Sequence, residues 1–341
     1  MTVSYNLIYW NNCHGRGEVT RLLFTYARQA FEEATFTNEE WPALKAQQPY
    51  GQLPVLEVDG VKIAQSRAIE RFLARRFNLV GKNDIERAIN DQIICGIDDT
   101  RQHFAKMFNE DDTLKSEAEV KAIIDEHVVS FLERHDKFLA INRHNHFVAE
   151  VSRLLFTLGG AKFEDFRYSF AEWPQHKAST PLFQQLPLLE FEENGKKHIL
   201  AQSRAIEIFL ATRFHLMGKD DIENAEIAQY ILGIDDLLAQ FKPAILEQDE
   251  EKKKVLMGGI IKDHVLPTLH RYNTFINEQG HLVGNKLTLA DVALFHITWL
   301  VSHKFGVTIP AEATKLNKLY QQVESEPKIK AYIQSRKDSK F

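Results

Sequence analysis

The sequence predicts a mixed fold of the α+β or α/β class, with a small sheet domain followed by an all-helical domain and the pair repeated in tandem. Three observations carry this. Residues 52–70 read as a proline turn, a tight hairpin and a helix start. Amphipathic helical stretches follow them. The same pattern then returns further along the chain, whose 341 residues suffice for two or more domains with separate cores.

Taken in order, residues 6–10 read as a strand, 18–27 as a helix and 31–37 as a second strand. Val55-Leu56-Glu57-Val58 is β-rich, Asp59-Gly60 is a hairpin turn signal, and Val61-Lys62-Ile63 is the returning strand. Leu53-Pro54 stands just before that hairpin, in a tight-turn position where a cis proline is accommodated. Gln65-Ser66 opens a helix whose apolar residues Ala68, Ile69, Phe72 and Leu73 recur at helical spacing. A hairpin feeding a helix start offers a small anionic peptide two things: strand-like backbone pairing and free N–H groups for a carboxylate. Residues 84–108 and 116–139 read as amphipathic helices, with Ile93, Ile97, Phe104 and Phe108 as the apolar stripe of the first. Further helices are expected over 222–241 and 254–276, and Thr288-Leu289-Ala290-Asp291 is a capping-box-like start for another.

The repeat is explicit. Arg21-Leu22-Leu23-Phe24 returns as Arg153-Leu154-Leu155-Phe156, and Glu40-Trp41-Pro42 as Glu172-Trp173-Pro174, both at an offset of 132 residues. Gln52-Leu53-Pro54 returns as Gln185-Leu186-Pro187, one residue further on. Ala64-Gln65-Ser66-Arg67-Ala68-Ile69-Glu70 returns intact at 201–207, and Gly96-Ile97-Asp98-Asp99 as Gly233-Ile234-Asp235-Asp236, both at 137. Matching stops at Phe138 and Phe275. The first copy therefore lacks a tail, and the second lacks a proper head, with Ile141 opposite Tyr9 and Val148 opposite Arg16. That is the pattern of a fused gene that has lost its middle, or of a misassembled gene model. The expected domains are 1–80, a truncated helical 81–140, a second sheet domain 141–218 with a degenerate first strand over 138–141, and a complete helical 219–341.

Composition is that of an ordinary globular chain, 44% hydrophobic and 26% charged, with a formal net charge of −5. No broad basic field addresses nucleic acid or an anionic membrane, and no 18-residue apolar run or leader pattern is present. Two cysteines without CxxC spacing suggest neither a disulfide framework nor a zinc site. A cytoplasmic location is the expectation.

Gln52-Leu53-Pro54 followed by Gln65-Ser66-Arg67-Ala68-Ile69, with Glu40-Trp41-Pro42 and Tyr9 upstream, resembles the cytosolic glutathione transferases of the sigma class. The resemblance implies a thioredoxin-like sheet domain, glutathione as co-substrate, small hydrophobic electrophiles as partners, and no metal. It implies Tyr9 as the hydroxyl donor to the glutathione sulfur, with Arg16 supplying positive charge, although residues 9–16 run about one residue longer than the pattern. Trp41, Lys45, Gln52, Leu53, Pro54, Gln65 and Ser66 match its glutathione contacts: Lys45 for the glycyl carboxylate, the Leu53 backbone for the cysteinyl segment, Gln65 and Ser66 for the γ-glutamyl end. Asp98 and Asp99 match a carboxylate pair that reaches a neighbouring subunit's glutathione, so Asp235 or Asp236 could serve the first copy within one chain; a solvated helix face explains such a pair equally well. The weaker counterparts in the second copy are Trp173, Lys177, Gln185, Leu186, Pro187, Gln202, Ser203, Asp235 and Asp236.

The reaction implied is conjugation of glutathione to electrophiles, or isomerisation of the prostaglandin synthase type, with the second copy silent because isoleucine cannot donate to sulfur. An intrachain pseudo-dimer or a homodimer is expected. Cys13, flanked by His14 and Arg16, offers a rival mixed-disulfide chemistry. His135, His144 and His146 read as loop histidines. The competing class is a non-catalytic ligand-binding or structural protein of the crystallin kind.

Overall fold

The computed structural model describes residues 3–11, 13, 15–101, 104–108, 114–124, 149–168, 172–177 and 179–336. Its elements in chain order are β1 (Tyr5–Trp10), α1 (Glu18–Ala27), β2 (Glu32–Phe36), α2 (Trp41–Leu44), β3 (Val55–Val58), β4 (Val61–Ala64) and α3 (Ser66–Arg76). There follow α4 (Asp84–Arg101), α5 (Glu117–Ile123), α6 (Ala149–Gly159), α7 (Trp173–Lys177), β5 (Leu188–Glu193), β6 (Lys196–Ala201) and α8 (Ser203–Arg213). The chain ends with α9 (Asp221–Gln240), α10 (Lys242–Leu246), α11 (Glu250–Ile260), α12 (Leu266–Phe275), α13 (Leu289–Phe305), α14 (Thr314–Glu324) and α15 (Pro327–Ser335). These elements form two compact units that do not follow chain order. Unit 1 joins residues 1–80 to 215–334, and unit 2 joins 81–214 to 335–341.

In unit 1 the strands lie in the order β2-β1-β3-β4, with β1 parallel to β2 and antiparallel to β3. Apolar residues of the sheet and α1 (Leu7, Phe24, Leu56, Ile63) bury against Ile69, Phe72 and Leu73 of α3, and Ala225 and Ala228 of α9 complete that core. Their small side chains let α9 come close to the sheet domain. Helix α13 is apolar around nearly its whole circumference and is correspondingly buried. Its capping box is formed: the Asp291 carboxylate accepts from the Thr288 N–H at 2.8 Å and, through its other oxygen, from the Leu282 N–H at 2.8 Å.

Unit 2 holds α4, α5, α6, α7, the antiparallel β5–β6 hairpin and α8. Arg336 of the chain's end pairs with Glu150 at the start of α6. Helix α4 stops at Arg101, short of the predicted 108, and a 3₁₀ turn covers Phe104–Met107. The turn carries Phe108 off the stripe, so Phe108 is 45% exposed and Ile97 is 40% exposed, and neither forms the buried seam that the spacing predicts. The helix expected over 254–276 starts earlier, at Glu250, where the Asp249 side chain accepts from the Glu251 and Lys252 N–H groups. A π turn, Ile261–Val265, precedes Pro267, whose missing N–H removes one rung of the regular helical ladder. The first strand expected over 138–141, the end of the 116–139 helix, and Ile141 and Val148 lie outside the described residues.

Candidate glutathione site

Strand register places the key residues of unit 1 together. Ile8 pairs with Val55, and Val55 pairs with Ala64. Tyr9, Pro54 and Gln65, each one step beyond, therefore fall at the same end of three adjacent strands. The Leu53–Pro54 bond is cis. Gln65 caps α3 at φ +69°, a left-handed conformation that costs an L-residue free energy and is typical of functional turns. Ser66, the first residue of α3, is buried beside it.

Tyr9 is 4% exposed, and its hydroxyl oxygen accepts the backbone N–H of Arg16 at 2.8 Å. Burial pushes this phenol above its ordinary range, while the Arg16 and Gly17 N–H groups pull it back; the hydroxyl stays protonated at neutral pH and retains a proton to donate. Two glycines make room for it. A Cβ on Gly17 would stand 2.7 Å from Tyr9 Cδ1, and one on Gly15, at φ +34°, 2.6 Å from Tyr9 Oη. The Arg21 guanidinium lies 5.6 Å from the ring centroid, and Arg21 is held in turn by Glu18 and Glu33. Cys13 packs against the core cluster that contains Tyr9; His14 lies outside the described residues.

Beside Pro54, Gln65 Nε2 donates to Asp236 Oδ2 at 2.9 Å and approaches Gln52 Oε1 at 3.5 Å. The Asp236 carboxyl is raised above its ordinary value by partial desolvation, against which the Gln65 and Gln52 amides and the Arg16 charge act. The Arg16 side chain itself is exposed. Trp41 packs edge to face on Trp10 at 5.1 Å, and Lys45 follows at the end of α2.

The second set of residues gathers in unit 2. Asp99 Oδ2 accepts from Gln185 Nε2 at 3.2 Å and Gln202 Nε2 at 3.0 Å, and Gln202 also donates to Gln185 Oε1 at 3.0 Å. Leu186–Pro187 is cis, Gln202 stands at φ +68° before Ser203, and Trp173 is buried against Tyr168. Lys177 ends α7. Asp98 pairs with Arg101 at 2.6 Å. Asp98 and Asp99 are thus separated from Tyr9 by unit membership, and the carboxylate that meets Gln65 belongs to Asp236, with Asp235 on the same turn.

Sequence reasoning missed two recurring contacts. Gln229 Oε1 accepts the Ala64 N–H at 2.8 Å, and Gln92 Oε1 accepts the Ala201 N–H at 3.1 Å, each helix glutamine satisfying the end of an edge strand. The Tyr50 ring lies over Gly233, and the Phe183 ring over Gly96, so each Gly-Ile-Asp-Asp motif opens with the gap that its aromatic needs. Both glutamines and both glycines recur at the 137-residue offset, which is the signal that could have found them.

Among the described residues, no group of three or more His, Cys, Asp or Glu could hold a metal ion, and no helix is long and apolar enough to cross a membrane. A family model for the glutathione S-transferase N-terminal domain matches residues 5–75, and one for the C-terminal domain matches 235–336. Both segments fall almost wholly in unit 1. The chain is 36% identical over 155 residues to glutathione S-transferase A of Cavia porcellus, covering 45% of this chain and 68% of that protein. It is 57% identical over 88 residues to a probable glutathione S-transferase 5 of Caenorhabditis elegans, covering 25% and 42%. It is 45% identical over 96 residues to the hematopoietic prostaglandin D synthase of Gallus gallus, covering 28% and 48%. The chain belongs to the glutathione S-transferase family, although its matched segment spans less than half the length of the last two relatives.

Proposed function

We propose that unit 1 binds reduced glutathione and transfers it to small hydrophobic electrophiles in the manner of the sigma class, or uses it in an isomerisation of the prostaglandin synthase type. The observation that carries this reading is the convergence of a proton-bearing Tyr9, the cis Leu53–Pro54 turn and the Gln65–Asp236 pair at one end of the sheet. Free glutathione has a thiol pKa of roughly 8.5, so a site that holds the anion at neutral pH must aim donors at the sulfur. Tyr9 is that donor, its oxygen fixed by Arg16 N–H. The Leu53 backbone pairs with the cysteinyl segment, and Lys45 and Trp41 hold the glycyl end. Gln52, Gln65 and Ser66 hold the γ-glutamyl carboxylate, and Asp236 faces its ammonium, with Arg16 adding positive charge.

Unit 2 keeps the γ-glutamyl half of this arrangement through Gln185, Gln202 and Asp99, and we read it as catalytically silent, the chain being a tandem pseudo-dimer acting in the cytoplasm. Calorimetry with glutathione and a chlorodinitrobenzene assay test the reading together. The expected outcome is glutathione binding with turnover that falls at least a hundredfold in Tyr9→Phe, since one aimed donor is worth about that much. Binding without turnover in the wild type would select the binding-protein class instead.

A further inference from the structure

The strained start of α3 is held by a residue of a distant helix. Strand β4 is the edge of its sheet, and the N–H of its last residue, Ala64, goes to Gln229 Oε1 of α9 at 2.8 Å. Ala64 is 1% exposed and Gln229 4%, so water does not take over this donor. The Gln229 carbonyl is used as well, accepting the Tyr50 hydroxyl at 3.1 Å, so this one residue ties α9 to the segment around the sheet at two points. Ala64 is the register partner of Val55, the residue after Pro54, and the chain neighbour of Gln65, which stands at φ +69°. The Pro54 turn and the α3 start therefore both leave from the Val55–Ala64 pair that Gln229 pins. Two helical turns further along α9, Asp236 meets the Gln65 amide.

We infer that Gln229 is a positioning residue for glutathione: it fixes the end of β4, and with it the conformation that presents Gln65 and the Ser66 N–H to the γ-glutamyl carboxylate. The inference rests on the reading of unit 1 as a glutathione site. A left-handed L-residue persists only where its surroundings over-determine it. Removing the acceptor leaves a buried N–H without a partner, so the strand end shifts toward another oxygen and Gln65 relaxes toward an ordinary conformation. The loss falls on glutathione binding rather than on proton donation, because Tyr9 stands on β1 and takes no part in the contact. Unit 2 repeats the device, with Gln92 Oε1 accepting the Ala201 N–H at 3.1 Å and Gln202 following at φ +68°. The residue opposite Tyr9 in that copy is Ile141. The repeat thus supplies a control with the same lost hydrogen bond and no donor to sulfur.

The test measures steady-state kinetics with glutathione and chlorodinitrobenzene, and glutathione binding by calorimetry, in wild type, Gln229→Met, Gln229→Glu and Gln92→Met. Methionine fills the space of glutamine without its strong acceptor. Gln229→Met is expected to raise the glutathione KM and Kd about tenfold, the order of a buried donor left unpaired, with kcat at saturating glutathione within about twofold of wild type. Gln229→Glu, whose carboxyl oxygen accepts in either protonation state, is expected to restore KM to within about threefold of wild type. Gln92→Met is expected to leave the glutathione KM unchanged. If Gln229→Met does not fold, Gln229→Asn, one methylene too short to reach Ala64, reads the same KM. An unchanged KM at position 229 overturns the inference. So does a fall in kcat with KM unchanged, an equal rise in Gln92→Met, or a KM in Gln229→Glu as high as in Gln229→Met. Wild type that neither binds nor turns over glutathione overturns the reading of the site itself, so the two failures are distinguishable.

Discussion

Asp236 ties two distant segments of unit 1 together, and in the proposed site it faces the ammonium of glutathione. It lies on α9, 171 residues from the Gln65 amide that it accepts. Partial desolvation raises its pKa, so it takes up a proton at a higher pH than an ordinary aspartate does. The ammonium of glutathione is attracted only to the ionised form. Affinity should therefore be full above the raised pKa and fall as pH drops through it. Asp236→Asn keeps an oxygen for Gln65 but removes the charge. It is expected to weaken glutathione about tenfold at pH 7, the worth of a charge-assisted hydrogen bond, and to flatten the acidic limb of a calorimetric titration. A limb that persists in Asp236→Asn would assign the proton to another group. The sequence offers Asp235 equally, and spacing alone does not separate the two; only the helix rotation that turns Asp236 toward Gln65 does.

At the scale of elements, local chemistry made much of unit 1 legible. The Asp59-Gly60 turn, the helix over Glu18–Ala27 and the start of α3 follow from turn residues and apolar spacing, and the structure has them where the pattern sets them. The early end of α4 and the π turn before Pro267 were not legible, because packing and a missing donor decide them rather than periodicity. The partnering of elements was legible only through the repeat. Helix α9 packs on α3, and α4 on α8, so each helix that bears an Asp-Asp pair meets the helix that follows a Gln-Ser pair in its own unit.

The glycines of those helices record this packing. A Cβ at Gly233 would stand 2.5 Å from the Tyr50 ring and 2.8 Å from the Tyr272 hydroxyl, whereas one at Gly258 in α11 would meet nothing within 4 Å. Helix propensity favours alanine over glycine by about 1 kcal/mol at either site. Gly258→Ala should therefore stabilise the protein by about 0.5–1 kcal/mol, while Gly233→Ala should destabilise it by about 1–3 kcal/mol through overpacking. Denaturant midpoints measure both, and the same sign at both positions would remove the argument that the aromatic ring requires the gap. The α1 stripe of Val19, Leu22 and Tyr26 makes a further contrast, being 40, 57 and 75% exposed, whereas Val151 and Leu154 at the repeat positions on α6 are 3 and 1% exposed.

At the scale of the whole molecule, the two units share the family-matched segments unequally. The segments that match the two family domains are 5–75 and 235–336, which are far apart in the chain yet fall together in unit 1. Tyr9 belongs to the same unit, whereas the Asp99–Gln185–Gln202 cluster of unit 2 closes on itself through three hydrogen bonds. Each unit also buries its own large side chains, Leu73 in unit 1 and Leu200 in unit 2, both fully excluded from solvent. Such a chain is expected to depart from two-state unfolding. Glutathione at a hundredfold its dissociation constant stabilises the unit that binds it by about 2.7 kcal/mol, which in a unit of this size moves a melting transition by about 2–4 °C per kcal/mol. Leu200→Ala removes buried apolar volume from unit 2 at a cost of about 2–5 kcal/mol. In a calorimetric scan, glutathione should raise one transition and leave the other in place, and Leu200→Ala should lower only the transition that glutathione does not move. If one cooperative transition responds to both perturbations, the units fold as a single body and unit 2 contributes to the stability of the site that it does not form.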